Sequence, residues 1–336
     1  MKTAVFDYHL PPELIAQTPI EPRDSSRLLV VHRDTGALEH RIFRDITEYL
    51  RPGDLLVCND SRVIPARIYG RKAETGGKAE VLLVAKRGPQ TWEALVHGRR
   101  IREGGRVVLG DGLEARVTAV TESGSRVLEF PEPVEPHLQK LGVVPLPPYI
   151  HEPLRDPERY QTVYARVQGS VAAPTAGLHF TPPLLDRILT MGCDLAFVTL
   201  HIGMDTFRPI GEDEIEQHHI HTEWCEVKPE VVERIRAARD SGRRIVAVGT
   251  TAVRALETAV QLGVVAPFSG PTGLYIYPGY AFRAVDVMIT NFHLPRSTLL
   301  LLVSAFAGKP LIDRAYQEAI RERYRFYSFG DAMLIL

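Results

Sequence analysis

The sequence lacks the features of disulfide-stabilised, zinc-binding and membrane-spanning proteins. Its 336 residues include only 3 cysteines, and Cys58, Cys193 and Cys225 form no CxxC pair, so it predicts neither a disulfide framework nor a cysteine-rich zinc site. No apolar run is longer than that of residues 299–303, which is far short of a membrane span. The N-terminus also lacks the basic-then-apolar layout of a secretory signal. We therefore expect a cytoplasmic protein with no membrane partner.

An excess of positive charge is also missing. The 40 basic and 41 acidic residues give a net charge of -1, so the composition does not indicate a nucleic-acid-binding protein, and any RNA site must be a local patch. Spacing alone leaves open whether a basic cluster contacts phosphate or lies on a solvated face. The candidate clusters are Arg62, Arg67, Arg71 and Lys72; Arg99, Arg100 and Arg102; and Arg321, Arg323 and Arg325 interleaved with Tyr324, Phe326 and Tyr327.

The chain is long enough for two domains, because a single hydrophobic core rarely grows to this size. Residues 67–130 contain short apolar runs separated by turn pairs, which predicts a small β-barrel. The turn pairs are Gly76-Gly77, Gly88-Pro89, Gly104-Gly105, Asp111-Gly112 and Ser123-Gly124. The proline-rich residues 131–148 then predict an extended return linker.

Beyond this linker, helices alternate with buried strands. Thr181 is a suitable N-cap and Pro182 a suitable first-turn residue for one such helix. The predicted elements are helix 182–192, strand 194–200, helix 229–242, strand 245–248, strand 284–289 and helix 296–307. This alternation is typical of a mostly parallel sheet covered on both faces.

The N-terminal residues 1–66 match the α/β part in character, since residues 55–57 form a strand-like run that meets Asn59. We therefore predict an α/β fold in two segments. Residues 1–66 and 149–336 form a discontinuous α/β domain with a mostly parallel sheet, interrupted by an inserted small β-barrel domain at residues 67–148. Three consecutive domains remain an alternative on periodicity alone.

Polar side chains directly follow three predicted strands. In open α/β sheets, ligands bind beyond the carboxyl ends of the strands, so these positions predict a binding site. The residues concerned are His201 and Gly203; Gly249, Thr250, Thr251 and Arg254; and Thr290, Asn291 and His293. The Gly249-Thr250-Thr251 turn has neither the lysine of a P-loop nor the spacing of a dinucleotide fingerprint, so a plain N-cap is the alternative there.

Two further segments carry chemical groups. Residues 217–226 concentrate histidines and carboxylates, and a strand there would place His219, His221, Glu223 and Cys225 on one face. These are zinc-ligand types, but four alternate strand positions cannot close tetrahedrally around one ion, so we favour a metal-free acid/base or substrate-binding role. Residues 169–181 are rich in small residues, and there His179 and Thr175 are the side chains with chemical reach; a packing loop is the alternative.

Many strings in this sequence resemble one family, the S-adenosylmethionine:tRNA ribosyltransferase-isomerases of queuosine biosynthesis. The resemblance runs nearly end to end and is weakest in the barrel stretch. The matching strings are Ser26-Arg27-Leu28-Leu29, Asn59 with residues 62–67, residues 145–150, residues 160–164, residues 171–180, Leu200-His201, residues 247–251, residues 277–280, residues 290–295, Tyr324-Arg325-Phe326, and Gly330-Asp331-Ala332-Met333.

The resemblance implies an α/β domain interrupted by a β-barrel, and it implies a reaction. The ribosyl part of S-adenosylmethionine is transferred and isomerised onto 7-aminomethyl-7-deazaguanine at the wobble position of tRNA, which gives the epoxide precursor of queuosine and releases adenine and methionine. S-adenosylmethionine is consumed as the donor, so no cofactor and no metal are expected. The expected partner is the tRNA anticodon loop, and nothing in the sequence indicates an oligomeric state.

Such a reaction needs groups that move protons near neutrality, for which histidine is suited. We hypothesise that His179, His201, His221 and His293 with Glu223 form the acid/base set. The expected substrate contacts are Thr175, Gly249, Thr250, Thr251, Arg254, Asn291 and Asp331, with Arg325, Tyr324 and Phe326 holding the backbone and stacking a base of the anticodon loop.

Some positions depart from the family pattern. Asp205 stands where the family commonly has glycine, and Ile220 stands where it has methionine, whereas His218, His221, Glu223 and Glu226 fit and His219 does not. The rival functions are an S-adenosylmethionine-dependent RNA methyltransferase, for which the expected glycine-rich loop is missing, a non-catalytic RNA-binding protein, and a metal hydrolase.

Overall fold

The computed structural model describes residues 1–98, 101–110, 112–121, 124–203 and 209–336. Within these ranges the α-helices are α1 Glu135–Leu141, α2 Pro182–Thr190, α3 Pro229–Asp240, α4 Thr250–Thr258, α5 Thr298–Ala307 and α6 Lys309–Arg321. The strands are β1 Arg27–Val31, β2 Leu38–Ile42, β3 Leu55–Asn59, β4 Ser61–Val63, β5 Arg67–Lys72, β6 Lys78–Gly88, β7 Thr91–His97, β8 Arg106–Leu109, β9 Leu113–Val120, β10 Arg126–Glu129, β11 Gly142–Val143, β12 Val167–Ser170, β13 Asp194–Leu200, β14 Glu223–Val227, β15 Ile245–Val248, β16 Val260–Gln261, β17 Val264–Val265, β18 Phe268–Thr272, β19 Val287–Asn291 and β20 Ala332–Ile335.

Contacts divide the chain into two compact units, namely Met1–Arg62 with Pro147–Val167 and Ala173–Leu336, and Val63–Leu146 with Gln168–Ala172. The predicted boundaries lay at 66/67 and 148/149, a few residues away. Residues 168–172, which were predicted within the α/β domain, fall in the smaller unit, where Ile64 donates a backbone hydrogen bond to Ser170 at 2.9 Å.

The larger unit is built on a mixed sheet with the strand order β18-β14-β13-β3-β15-β19-β20-β1-β2. Strands β13, β3, β15 and β19 run parallel to one another, as helix-connected strands do. The pairs β18–β14, β14–β13, β19–β20 and β1–β2 are antiparallel, whereas β20–β1 is parallel. The α/β fold class is thus confirmed, and its contiguous parallel part is the middle of the sheet.

The core of this unit packs one face of the sheet against its short helices. Val246, Val248 and Ile289 from the sheet are fully buried with Phe180 and Leu184, which lie before and within α2. Helix α2 forms as expected, because Thr181 accepts a hydrogen bond from the amide of Leu184 at 3.3 Å. Burial of this apolar face holds the carboxyl ends of the central strands at one edge of the sheet.

The smaller unit is a closed antiparallel barrel in the order β5-β6-β7-β10-β9-β8, since β8 also pairs with β5. This confirms the predicted barrel. Its interior is apolar and includes Ile68, Val81 and Leu128, each fully buried. The residues predicted as an extended linker are partly helical, because α1 places Pro136 in its first turn, where proline loses no hydrogen bond.

Helices α2 and α3 end two residues before their predicted bounds, at Thr190 and Asp240, and three other elements differ further. The strand predicted at 284–289 is β19 Val287–Asn291, because the amides of Arg283 and Ala284 donate instead to the carboxylate of Glu257. Helix α5 begins at Thr298 rather than Arg296, whose φ of 54° is left-handed, and Ser297 caps it by accepting from Leu300. The strand considered for residues 217–226 covers only β14 Glu223–Val227. His219 is exposed, outside that strand.

Candidate functional site

A cleft lies where β15 and β19 end. This is the edge at which the parallel arrangement predicted a binding site. Among the described residues, no Asp, Glu, Lys or Arg side chain lines it. The lining residues are Tyr149, Ala173, Pro174, Thr175, Ala176, Ile202, Gly249, Thr250, Thr251, Thr290, Asn291, Phe292, His293, Leu294, Ser297, Leu299, Tyr327 and Ser328.

The turn between β15 and α4 forms one wall. Gly249 has φ 91° and ψ 153°, a backbone conformation that is essentially restricted to glycine, and its amide donates to Ile289 at 2.8 Å. Helix α4 follows at once, so Thr250 and Thr251 lie in its first turn. The Oγ1 atom of Thr251 is buried and has no hydrogen-bond partner among the described residues.

His293 lies on another wall of the same cleft. Its Nε2 is 2.7 Å from Thr290 Oγ1, which itself donates to the carbonyl of Asn291 at 3.4 Å. The tautomer of the ring sets which of these two atoms donates, and Nδ1 makes no hydrogen bond to the described residues. Burial lowers the pKa of His293 to about 3, so the ring is neutral at physiological pH.

Asn291 is held in one orientation by three neighbours. Its Nδ2 donates to the carbonyl of Tyr327 at 3.3 Å and lies 3.2 Å from His179 Nε2, and its Oδ1 accepts from Thr175 Oγ1 at 3.1 Å. Both Asn291 and Thr175 line the cleft, as predicted. His179 does not line it.

His179 is buried behind Asn291 and stacks on Phe43 with ring centroids 4.9 Å apart. Its Nδ1 is 2.7 Å from Ser26 Oγ. Burial, with the charges of Arg325 and Arg23, lowers the pKa of His179 to about 3. Because Asn291 donates to Nε2, the proton of the neutral ring is on Nδ1. Its position fits orientation of Asn291 better than the predicted proton transfer with a substrate.

Four more predicted residues form a separate polar cluster, which we call the Glu223 cluster: His201, His221, Glu223 and Arg254. The buried Glu223 carboxylate accepts from the amide of Gly203 at 2.9 Å, lies 3.2 Å from His221 Nε2, and forms an ion pair with Arg254. Burial would raise the pKa of Glu223, but Arg254 and His221 hold it at about 2. The cluster adjoins the cleft in sequence, since Ile202 follows His201 and Thr251 precedes Arg254 by one helical turn.

His201 belongs to this cluster through the charge of Glu223, which acts on its ring. It stacks on Trp224 with centroids 5.4 Å apart, and burial lowers its pKa. Within the part of the chain that the structure describes, no group of three His, Cys, Asp or Glu side chains is arranged to hold a metal ion.

Four further predicted substrate contacts lie away from the cleft. Tyr324 is fully buried, with its hydroxyl 2.7 Å from His40 Nδ1, and Phe326 is also fully buried, so neither ring offers a face on which a base could stack. Arg325 donates to the carbonyls of Thr18 and Phe329. Asp331 accepts from the amides of Arg27 and Arg325 at 2.9 and 2.7 Å, which makes it a brace for the C-terminal segment.

Three arginines of the basic clusters form ion pairs with carboxylates. Arg62 pairs with Glu158 and Arg67 with Glu80, and Arg321 pairs with Glu318 and Glu322. Arg99, Arg100 and Asp205, together with the turn residues Asp111 and Ser123, lie outside the described residues.

Sequence reasoning missed several lining residues. Tyr149, whose hydroxyl is 2.7 Å from Ser328 Oγ, and Tyr327, which has a left-handed φ of 71°, both line the cleft. The tertiary fold brings them to β19, and no spacing rule connects them with that strand. The left-handed φ of Tyr327 is unusual for a tyrosine, but it can be recognised only in the structure and not in the sequence.

A cleft at the carboxyl ends of parallel strands, lined by apolar and uncharged polar side chains, in a chain that also carries a barrel, defines an α/β protein built to bind a ligand. Comparison with known proteins then identifies its family. A family model described as "Queuosine biosynthesis protein" matches residues 3–335, and the chain belongs to that family.

Relatives match it over their full lengths. Proteins named S-adenosylmethionine:tRNA ribosyltransferase-isomerase from Symbiobacterium thermophilum, Moorella thermoacetica and Thermotoga maritima are 58%, 56% and 53% identical, each over 100% of both chains. A crystal structure of S-adenosylmethionine tRNA ribosyltransferase from Thermotoga maritima is similar with a TM-score of 0.58 at 44% identity, covering 99% of this chain and 100% of that one. No helix among the described residues is long and apolar enough to cross a membrane.

Proposed function

We propose that the cleft beside β15 and β19 is the active site of a S-adenosylmethionine:tRNA ribosyltransferase-isomerase. The enzyme transfers and isomerises the ribosyl part of S-adenosylmethionine onto 7-aminomethyl-7-deazaguanine at the tRNA wobble position, giving epoxyqueuosine-tRNA with release of adenine and methionine. The observation that carries this proposal is the convergence of Thr175, residues 249–251, Asn291 and His293 on one cleft, in a chain of this family.

The substrate brings its own activation, so the reaction as proposed needs no cofactor. The positive sulfur of S-adenosylmethionine acidifies the neighbouring ribose C5′ protons, and removal of one prepares the loss of adenine. The aminomethyl nitrogen of the tRNA base, once deprotonated, attacks the sugar. An alkoxide then closes the epoxide as methionine leaves with the electron pair of the carbon–sulfur bond.

His293 is the side chain best placed to take a proton in this cleft. The ring is unprotonated throughout the neutral pH range, and Nδ1 is the nitrogen that Thr290 does not engage. A pKa this low makes the ring a weak base, so the acidity that the sulfonium gives to the C5′ protons supplies the driving force for the transfer. Asn291 and Thr175 orient the substrate beside it. His201, His221 and Glu223 supply the later proton transfers, and Arg254 holds the Glu223 carboxylate in place.

Two further points, the part of the tRNA that is bound and the compartment of the reaction, are also proposals. S-adenosylmethionine and tRNA are the substrates; we propose that the anticodon loop is the part of tRNA that is bound, and that the reaction takes place in the cytoplasm, where tRNA is found. Footprinting of tRNA by the enzyme tests the first point, and cell fractionation tests the second.

One assay tests the reaction. The protein is incubated with S-adenosylmethionine and tRNA carrying the aminomethyl-deazaguanine, and adenine, methionine and the mass of the tRNA are measured. Free adenine and methionine with a ribosyl-derived mass gain on tRNA are expected. S-adenosylhomocysteine with a methylated tRNA would instead indicate a methyltransferase, and tRNA binding without consumption of S-adenosylmethionine would indicate a non-catalytic RNA-binding protein.

The role of His293 is tested by His293→Asn. We expect kcat to fall about 100-fold or more, the usual contribution of a general base, while KM for S-adenosylmethionine changes by less than about 3-fold, because the ring acts on the proton rather than on ground-state binding. His219→Asn, at an exposed histidine that bonds the carbonyl of Gln217, is the control and should match the unmodified enzyme. An unchanged kcat in His293→Asn would remove His293 from the mechanism.

A further inference from the structure

The first turn of α4 presents its backbone amides without a capping side chain. The preceding residue is Gly249, and the first helical hydrogen bond runs from the amide of Val253 to the carbonyl of Gly249 at 3.2 Å. The amides of Thr250, Thr251 and Ala252 therefore have no acceptor among the described residues. Gly249, Thr250 and Thr251 all line the cleft, so the positive end of this nine-residue helix borders it.

Two buried side chains on the same side of α4 also have polar atoms without partners. Thr251 is about 9% exposed, and its Oγ1 is buried and unbonded within the described residues. Arg254 lies three residues further on, which places it on the same side of the helix, and its Nη2 is buried and unbonded there as well. Such groups are rare in folded proteins and call for a ligand group that can accept their hydrogen bonds.

These groups share one chemical preference. Backbone amides at a helix N-terminus and a hydroxyl beside them favour a negatively charged oxygen, whereas the charge of Arg254 is already paired with Glu223. Among the described residues, no lysine or arginine side chain lines the cleft, and a phosphate of RNA is usually held by such side chains. A carboxylate carries a single negative charge. The partial positive charge of a helix N-terminus and the hydrogen bond of one hydroxyl can stabilise it without a lysine or arginine.

We infer that the first turn of α4, with Thr251 Oγ1, binds the α-carboxylate of the methionyl part of S-adenosylmethionine. The inference rests on the proposed function for the identity of the ligand. It assigns the methionyl end of the donor to the α4 wall and leaves the ribose for the part of the cleft that contains His293. Free methionine, as product, binds the same groups until it dissociates.

The test compares ligands with and without the carboxylate. KM and kcat are measured for S-adenosylmethionine and for its decarboxylated analogue, and Kd is measured by calorimetry for L-methionine and for L-methioninol, in the unmodified enzyme, Thr251→Val and Thr251→Ser. Thr258→Val is the matched control, since Thr258 is on the same helix but its hydroxyl is already bonded to Thr272 at 2.6 Å.

We expect Thr251→Val to raise KM for S-adenosylmethionine and Kd for L-methionine about 10-fold or more, the loss typical of a hydrogen bond to a charged group. The values for the decarboxylated analogue and for L-methioninol should change by less than about 2-fold. Thr251→Ser should restore the unmodified values, and Thr258→Val should keep them.

Equal losses for ligands with and without the carboxylate, or no loss for either, would overturn the inference. So would a rise in KM for tRNA alone, which would indicate a phosphate of the RNA at this position. The calorimetric measurement needs no turnover. If methionine binding depends on Thr251 but the enzyme releases no adenine, then the proposed function fails while the carboxylate site stands.

Discussion

At the scale of single residues, burial decides what each histidine can do. His179 and His293 both have a pKa lowered to about 3, yet His293 lines the cleft and His179 lies behind Asn291. The sequence alone does not distinguish the two histidines as candidates. The residue type and its sequence neighbours do not reveal whether a histidine will line the cleft or lie behind Asn291. The packing of His179 on Phe43, which keeps that ring behind Asn291, distinguishes His179 from His293.

His179 should act as a positioning residue. His179→Ala removes the acceptor that holds Asn291 Nδ2 and should lower kcat about 10-fold, since small misplacements of an orienting group are costly. His179→Gln, which keeps an acceptor close to the Nε2 position, should recover much of that loss. The pH dependence of kcat should keep its shape in both variants, which steady-state kinetics between pH 5 and 9 can check; a shifted profile would restore His179 to the proton-transfer set.

At the scale of elements, the strand ends were the most predictable part of the site. The strands 194–200 and 245–248 lie where the apolar runs placed them, because a continuous apolar run between turn residues has few other ways to be buried. The segment 217–222 was not predictable in the same way. It alternates like a strand, but its backbone pairs with no strand among the described residues before Glu223.

The turn before α4 should not tolerate a side chain. Gly249→Ala forces an L-residue into φ 91° and ψ 153° and should reduce the free energy of unfolding by about 1–3 kcal/mol. It should also raise KM for S-adenosylmethionine, because the strain is relieved by moving the first-turn amides away from the cleft. Urea unfolding and steady-state kinetics measure the two effects.

Gly242→Ala is the control for that variant. Gly242 also has a positive φ, 65°, and nothing lies within 4 Å of an added methyl group. It should cost some stability, about 1 kcal/mol, and leave KM unchanged. Equal KM values in the two variants would argue against a ligand at the start of α4.

At the scale of the whole molecule, the division into an α/β unit and a barrel could be predicted from turn spacing and element alternation. The order of the strands could not. The position of β20, antiparallel to β19 and parallel to β1, depends on pairings between distant parts of the chain, and the local sequence pattern does not encode them. The cleft residues Tyr149 and Tyr327 were missed for the same reason.

The buried neutral histidines should make the folded protein sensitive to acid. The pKa values of His179 and His293 are about 3 when folded and about 6.5 in an unfolded chain. Their contribution to stability is therefore complete above about pH 6.5 and is lost as the pH falls towards 3, because the unfolded state binds the extra protons. Each contributes a slope of up to about 1.4 kcal/mol per pH unit in this window.

Urea unfolding at a series of pH values should show this decline, and His293→Asn should make it shallower. His219→Asn, at an exposed position, should leave the slope as it is. The Glu223 carboxylate adds a second loss at lower pH. Its pKa is held at about 2, so its contribution is present above about pH 4.3 and disappears as the pH falls to about 2.

The position of β20 has a consequence for how the protein is made. Strands β1 and β2 join the rest of the large sheet through β20, with Leu28 beside Ala332. During synthesis on the ribosome, β1 and β2 form a hairpin long before β20 is made. The edge of β1 that pairs with β20 stays uncovered until residues 332–335 have emerged. Such late closure of a sheet by distant partners is slow and exposes intermediates to aggregation, so synthesis of this enzyme should depend on chaperones more than its modest size suggests.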